Sequence, residues 1–517
     1  MTARWVIRKL SMHQIKYLLT LLTVILLLAA ASKKHGSPPV PRALPDAVTH
    51  GTAQVGGQSI RYTARAGNIM LHNDKEEITA RIFYVAYTKD GSAANQRPLT
   101  FFYNGGPGSS TIWLHMGSFS PVRVVTRNGA PTGPPPFKLI NNSNSLLDKS
   151  DLVFVDAPNT GYSRVVGMGR PKDFMGVDQD GHAFTQFIAR YISQFNRWNS
   201  PKFLFGESYG TTRDCVLVNM LQDAGVEMNG VVLLSSILNF GLGGLGGGQP
   251  IGGGDWPYVL YLPTQAATAW YHHKAASHGQ NLKQFLRTVE AFAAGQYMHD
   301  LAQGTDLSPA EYNTVVEKLH QYVGLSPQYI RESNLRVPYR RYEKELLRNQ
   351  NTIVGRYDSR FMTYDIDAAA QDPSWDPSDV GISGAFVSTF NEYIRQKLHY
   401  ISSSQYRPTA YGGQLGAPWD MHHRGADPPA NVAPDLAEAM TKNPRLRVFS
   451  ANGVYDFATP YFQTEYTLNH LNIVAPLQKN ISYGFYQSGH MVYLNPSAQA
   501  QFKADLARWY DSALSAR

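Results

Sequence analysis

Three short motifs in this chain hold the residue types of nucleophilic acyl transfer, in an order that one kind of fold can use. GESYG, Gly206 to Gly210, matches G-x-S-x-G, in which small flanking residues permit a tight strand-to-helix turn with Ser208 exposed at its apex. With 44 glycines in the chain, a chance match to that pattern is expected about 0.2 to 0.3 times, so its flanks must decide. They agree: KFLF before it reads as a buried strand and TTRDCVLVNML after it as a helix. A serine hydroxyl is a poor nucleophile at neutral pH and needs a base that a carboxylate orients. Asp456 in NGVYDFATP and His490 in SGHMVY follow in the order Ser, acid, His, each just after an apolar run. Both are therefore expected at strand C-terminal ends, where open α/β sheets bind ligands. Alone, such an aspartate usually serves its turn and such a histidine the surface; the shared order with GESYG is what singles them out.

Acyl transfer also needs backbone N–H groups aimed at the developing oxyanion, one from the residue after the nucleophile and one from an early glycine-rich loop. Tyr209 supplies the first. NGGPGSS, Asn104 to Ser110, directly follows the apolar run LTFFY, and its glycines let the backbone approach a substrate that a side chain would obstruct.

The elements that must carry these residues are legible as periodicities. From about residue 50 to 103, SIRYTARAG, ITARIFYVAYT and LTFFYNGG are rich in β-branched and aromatic residues, as consecutive strands are. DLVFVDAP then reads as a strand, DGHAFTQFIARYISQF as a helix, KFLFGESYG as a strand, TTRDCVLVNMLQDAG as a helix and VVLLSSILNF as a strand. RLRVFSANG, ISYGFYQSG and a final helix from about Pro496 resume the alternation. Alternating helix and strand indicate an α/β sheet. With the elbow, they predict an α/β-hydrolase fold with a mostly helical cap insertion: core over 50–240, insertion over 241–440 and core again over 441–517.

Residues 1–31 contain Arg4, Arg8, Lys9 and Lys16, no acid, and an apolar run from Tyr17 to Ala31 that ends in three alanines. This is the layout of a signal peptide cleaved before Ser32. At 15 residues the run falls short of the roughly 18 expected of a membrane span. If uncleaved it would serve as an N-terminal anchor, the one circumstance that gives the chain a membrane partner. Residues 32–49, rich in proline and charge, read as a solvated linker. Losing four cations and no acids takes the formal charge from +8 to +4, which argues against a nucleic-acid partner. A single cysteine, Cys215, cannot form an internal disulfide, so export to a bacterial periplasm or beyond fits better than a eukaryotic vesicle. Cys215 itself reads as a small buried hydrophobe on the elbow helix.

FYNGGPGSS, FVDAPNTGYS, FGESYG, NGVYDFATP and SGHMVYLNP, in this order over most of residues 99–500, resemble the signature blocks of the serine carboxypeptidase family. The resemblance implies a triad of Ser208, Asp456 and His490, oxyanion amides from Gly106 and Tyr209, and a helical insertion over the cleft. It also implies that Asn104, Gly105 and Glu207 meet the substrate, with Asn104 and Glu207 gripping the free C-terminal carboxylate of a peptide. An ionised Glu207 would repel that carboxylate, so it helps only when protonated, which burial or a second carboxylate would favour. Many family members carry such a second Glu shortly after NGGPG, and prefer acidic pH. Ser118 stands at that place here, and the disulfides that brace eukaryotic members cannot form, which points to a divergent bacterial branch.

The chain is thus expected to be an exported serine carboxypeptidase-like peptidase with a peptide substrate and neither a metal nor an organic cofactor. The same residues would also serve an esterase or an acyltransferase, as in plant relatives of the family. A noncatalytic envelope-binding protein is a third reading, which the intact motif residues oppose. The pairs His272-His273 and His422-His423 lack a metal-ligand pattern and read as packing or surface residues. The run GLGGLGGGQPIGGG lacks the ending and context of a phosphate loop and reads as a hinge, and PTGPPP, residues 131 to 136, as a stiff loop.

Overall fold

The computed structural model describes residues 45–243, 254–277 and 279–515. The expected signal segment, most of the linker and the centre of the glycine run lie outside the described residues. Among the described residues, no helix is long and apolar enough to cross a membrane.

One sheet organises the molecule. Its strands β1 (Ala47–Val55), β2 (Gln58–His72), β3 (Ile78–Lys89), β4 (Leu99–Tyr103), β5 (Asp151–Val155), β6 (Lys202–Glu207), β7 (Gly230–Leu234), β8 (Arg447–Gly453) and β9 (Ile481–Tyr486) lie in the order β1-β2-β3-β5-β4-β6-β7-β8-β9. The two-residue strand Arg164–Val165 pairs beside β3. β1, β2, β3 and β5 pair antiparallel, and every pairing from β5 to β9 is parallel. β4, β5, β6 and β7 are buried at every residue, which is why LTFFY, DLVFV, KFLFGE and GVVLL are nearly unbroken apolar runs: a parallel strand covered on both faces has no solvent side to mark with polar residues. β1 and β2 instead alternate more and less exposed positions. β1 starts at Ala47, inside the stretch expected to be linker.

Neighbouring residues on the central strands feed opposite cores, as strand pleating requires. Phe101, Leu204 and Val231 face helices α2 (Val177–Gln194), α3 (Tyr209–Asp223) and α8 (Ala433–Lys442). Phe102, Phe205 and Val232 face α1 (Ile112–Gly117), α7 (Ser383–Gln396) and α9 (Pro496–Ser515). Between β7 and β8, helices α4 (Trp256–Tyr271), α5 (Leu282–Phe292) and α6 (Pro309–Val323) build a third core from residues such as Val259, Phe285, Val289 and Leu319. Tyr455 and Phe457, on either side of Asp456, belong to that same core and join it to the sheet.

The stretch 241–440 is therefore not one body. α7 and α8 pack on the two faces of the sheet, and only the helices before them have a core of their own. VVLLSSILNF also stops being a strand at Leu234, because Ser235 takes a φ of 51° and turns the chain away. The α5 helix runs on through a wide turn, Ala293–Tyr297, into Met298–Gln303.

At the lower end of the sheet, Asp151 opens β5 and takes Arg97 Nε and Arg197 Nη1 on its two oxygens, each at 2.7 Å, with all three residues buried. Removing the acid would leave two buried guanidinium groups uncompensated, which costs about 3–5 kcal/mol in comparable pairs. Asp151→Ala should lower the unfolding free energy by an amount of that order, read as a lower denaturant midpoint with an unchanged slope; a midpoint within error of wild type would show that the two arginines find other partners.

Candidate active site

β6 delivers the chain to Ser208 at φ 63° and ψ −130°, a conformation that a residue with a side chain rarely adopts and that costs about 1–3 kcal/mol. Two residues to either side, only glycine fits. A Cβ at Gly206 would stand 2.2 Å from the Gly210 carbonyl oxygen, and one at Gly210 would stand 2.7 Å from that of Tyr103. The Ser208 N–H donates to the Leu234 carbonyl at 3.0 Å, so β7 holds the turn from beside it. The NGGPG loop meets the elbow backbone to backbone: a Cβ on Gly105 would lie 2.3 Å from the Tyr209 nitrogen. Among the described residues neither the Gly106 nor the Tyr209 N–H donates to a backbone acceptor in these turns.

Asp456 and His490 occupy the loops that follow β8 and β9. Asp456 is wholly buried, and both its oxygens are engaged. One accepts from His490 Nδ1 at 2.7 Å and from Thr459 Oγ1 at 2.8 Å; the other accepts the amides of Ala458 at 2.8 Å and Thr459 at 3.1 Å. The carboxylate sets the imidazole tautomer, with the proton on Nδ1 and Nε2 left as the basic nitrogen. Burial works against a charged His490, but the charge and hydrogen bond of Asp456 outweigh it and raise its pKa above the ordinary value. The His490 loop is held from both sides: its N–H donates to the Tyr357 carbonyl at 2.6 Å, and its own carbonyl accepts from Ser235 Oγ at 2.7 Å.

Ser208, His490, Asn104, Gly105, Gly106 and Glu207 line one cavity of about 310 Å³. Glu207 is buried and hydrogen bonds to Tyr493 Oη at 2.9 Å and to the Asn104 side chain, whose Oδ1 also accepts the Leu114 amide at 3.0 Å. Burial pushes Glu207 up to about 7, against the pull of His490 and of the bonds from Tyr493 and Asn104. Ser118 is buried too, but its hydroxyl donates to the Leu114 carbonyl and it does not line the cavity. Desolvation, helped by the charge of Asp456, thus leaves the glutamate partly protonated at neutral pH.

The sequence-predicted residues therefore come together. Most of the residues that surround them belong to no motif. Trp113, Tyr357, Asp379, Ser383, Val387 and Tyr411 line the same cavity, most of them from the insertion, where no motif marks them. The Tyr357 ring lies 5.1 Å from that of His490. Thr459 and Tyr493 stand three residues after Asp456 and His490, inside the motifs themselves, but nothing in the spacing names the groups they bond.

The features set aside also have places. His423 is buried between α2 and α8, with its two nitrogens on Asp178 and Asp435 at 2.6 and 2.7 Å, and His272 Nε2 bonds the Ser359 carbonyl at 2.7 Å. His422 bonds Asp420. Among the described residues no cluster of three or more His, Cys, Asp or Glu could hold a metal ion. Cys215 is buried in the core on the α2 face.

Comparison with known proteins follows the same lines. A family model described as serine carboxypeptidase matches residues 62–493. The pheromone-processing carboxypeptidase KEX1 of Saccharomyces cerevisiae is 30% identical over 156 residues, 28% of this chain and 20% of that protein. Its counterpart in Cryptococcus gattii is 27% identical over 168 residues, 32% of this chain and 24% of that protein. The matches thus span between a fifth and a quarter of the length of these relatives. The crystal structure of Kex1(delta)p, a prohormone-processing carboxypeptidase from Saccharomyces cerevisiae, covers 87% of this chain and 92% of its own at a TM-score of 0.54 and 16% identity, which shows a shared fold.

Glu207 should titrate near neutrality. Its folded pKa is raised, so it is neutral below about 7 and charged above. Infrared difference spectra of wild type against Glu207→Gln should show a protonated carboxyl band at about pH 5.5 that is gone by about pH 8.5. Tyr493→Phe, which removes a donor to the charged form, should move the midpoint upward. A midpoint near the ordinary glutamate value would mean that water reaches this carboxyl.

Proposed function

The chain belongs to the serine carboxypeptidase family, and on that footing we propose that it removes residues from the C-termini of peptides through an acyl-enzyme on Ser208. Ser208 Oγ attacks the scissile carbonyl while His490 Nε2 takes its proton, and Asp456 orients and stabilises the imidazolium. The amides of Gly106 and Tyr209 receive the oxyanion. His490 then returns the proton to the departing amine, the C–N bond breaks, and the acyl group stays on Ser208. Water, deprotonated by the same histidine, attacks the ester and releases the shortened peptide.

The observation that supports the reading is the buried Glu207 beside Asn104 in the cavity that Ser208 and His490 line, with Tyr493 donating to Glu207 from outside that lining. An esterase needs the nucleophile and base but has no use for a neutral carboxyl beside an amide donor. That pair offers two hydrogen bonds to an incoming carboxylate, one of them from the protonated Glu207. The remaining lining suits a terminal residue with a cationic side chain. It carries the half-buried Asp379, whose Oδ1 accepts from Ser383 Oγ at 3.0 Å, together with Trp113, Tyr357 and Tyr411, and among the described residues no lysine or arginine. Aromatic faces and an acid both favour an ammonium or guanidinium group. Export directed by the segment ending at Ala31 completes the proposal and rests on the charged start and apolar run described above.

Three measurements test it. An N-blocked dipeptide with a free carboxylate should be cleaved in strong preference to its amide, and Ser208→Ala should lower turnover by on the order of 10⁶-fold with the fold intact. Cleavage of the matching ester alone would move the assignment to an esterase or acyltransferase, and retained turnover in the alanine variant would remove Ser208 from its role. Among free-carboxylate substrates, a C-terminal Lys should be favoured over Leu, and Asp379→Asn should shrink that ratio by about tenfold, which corresponds to about 1.4 kcal/mol; an unchanged ratio would place the cationic side chain elsewhere.

A further inference from the structure

Arg213 lies on α3, five residues beyond Ser208, and is fully buried together with Asp180 of α2. Its Nε meets Asp180 Oδ2 at 2.6 Å and its Nη1 donates to the Asn104 carbonyl at 2.9 Å, while among the described residues its Nη2 and the second oxygen of Asp180 have no hydrogen-bond partner. The guanidinium is otherwise packed among the rings of Phe184, Tyr103 and Tyr209, at 4.3, 5.1 and 5.6 Å from their centroids. A buried ion pair in an aromatic setting is a weak source of stability, since apolar residues of similar volume often do as well. Among the described residues its one hydrogen bond beyond the pair goes to the Asn104 carbonyl.

That carbonyl belongs to the peptide plane joining Asn104 to Gly105, so its direction sets the path of the chain into Gly106. Asn104 is clamped at its side chain as well, by the Leu114 amide. The next residue on α3 reaches back to the other strand: Asp214 accepts the Gly206 amide at 2.9 Å and the Tyr103 hydroxyl. One helical turn thus holds the backbone two residues before Gly106 and three residues before Tyr209. These are the residues whose amides the proposed mechanism uses for the oxyanion.

We infer that Arg213, held by Asp180, is a positioning residue that sets the Gly106 amide relative to the Tyr209 amide and so acts on the transition state rather than on substrate binding. The inference rests on the acyl-transfer reading above. Donors aimed where charge develops contribute to turnover in proportion to how well they are placed, and a displacement of about 1 Å can cost about a hundredfold.

The test uses an activated peptide ester, whose cleavage by wild type checks the acyl-transfer reading by itself. The double variant Arg213→Met with Asp180→Leu removes both buried charges together and keeps the volume filled. Arg213→Lys keeps the charge beside Asp180 but cannot bridge to Asn104 as a fork does. Each should lower kcat by about 10- to 100-fold with KM within about threefold, and weaken a peptide aldehyde, which forms a tetrahedral adduct, by a similar factor, while the affinity of the acid product barely moves. Far-ultraviolet circular dichroism and thermal midpoints identify variants that fold. A folded variant of either kind with wild-type kcat would overturn the inference, as would equal weakening of aldehyde and product. If the double variant does not fold, Arg213→Lys decides by the same readouts.

Discussion

Much of this molecule is arranged around one strained turn. Ser208 holds a backbone conformation that its own side chain disfavours, and the turn survives because what surrounds it leaves no other path. Gly206 and Gly210 admit no Cβ, Gly105 lies against the Tyr209 amide, and the Ser208 N–H is tied to β7. The parallel strands β4, β6 and β7 are the rigid floor that makes this possible. Their buried apolar residues on both faces fix the ends from which NGGPG and GESYG emerge. A local cost at one residue is thereby carried by the packing of the whole sheet.

The histidine side of the cleft is built differently. Asp456 and His490 come from strand ends, but the chain that steadies His490 comes from the insertion. Arg356 and Ser359 form backbone bonds with Phe457 and Tyr455, the neighbours of Asp456. Arg360 holds Asp358 at 2.5 Å and reaches Ser488 Oγ at 3.2 Å. The segment therefore fastens to both loops at once, and Tyr357 presents its carbonyl to the His490 N–H and its ring to the imidazole. The insertion thus braces the cleft as well as lining it.

Glu207 shows how a departure from a family pattern can be absorbed. Ser118, turned to the Leu114 carbonyl, offers no carboxylate to share a proton. Burial, helped by the charge of Asp456, raises the pKa, and His490 and the Tyr493 hydroxyl limit how far, since both stabilise the charged form. A carboxyl poised near neutrality, rather than one locked neutral, is the result.

GESYG, NGGPGSS, NGVYDFATP and SGHMVY were legible because each is a local device: glycines where a backbone must pass close, and a functional residue just beyond an apolar strand. The alternation of strands and helices was legible for the same reason, since periodicity follows from which face of an element is covered. Less of the insertion could be read. Its helices were visible, but their sharing out between a separate core and the two faces of the sheet was not, because α7, α8 and the earlier helices carry similar apolar stripes that do not name their partners. The sequence by itself determined the kind of chemistry available, the order of its residues and the sheet that could carry them, since these depend on contacts between near neighbours. Only the tertiary structure decided that Tyr357 backs His490, that Tyr493 meets Glu207, that Arg213 reaches Asn104 and that Asp379 faces the cleft, because those contacts join segments whose separation along the chain leaves no trace in local pattern.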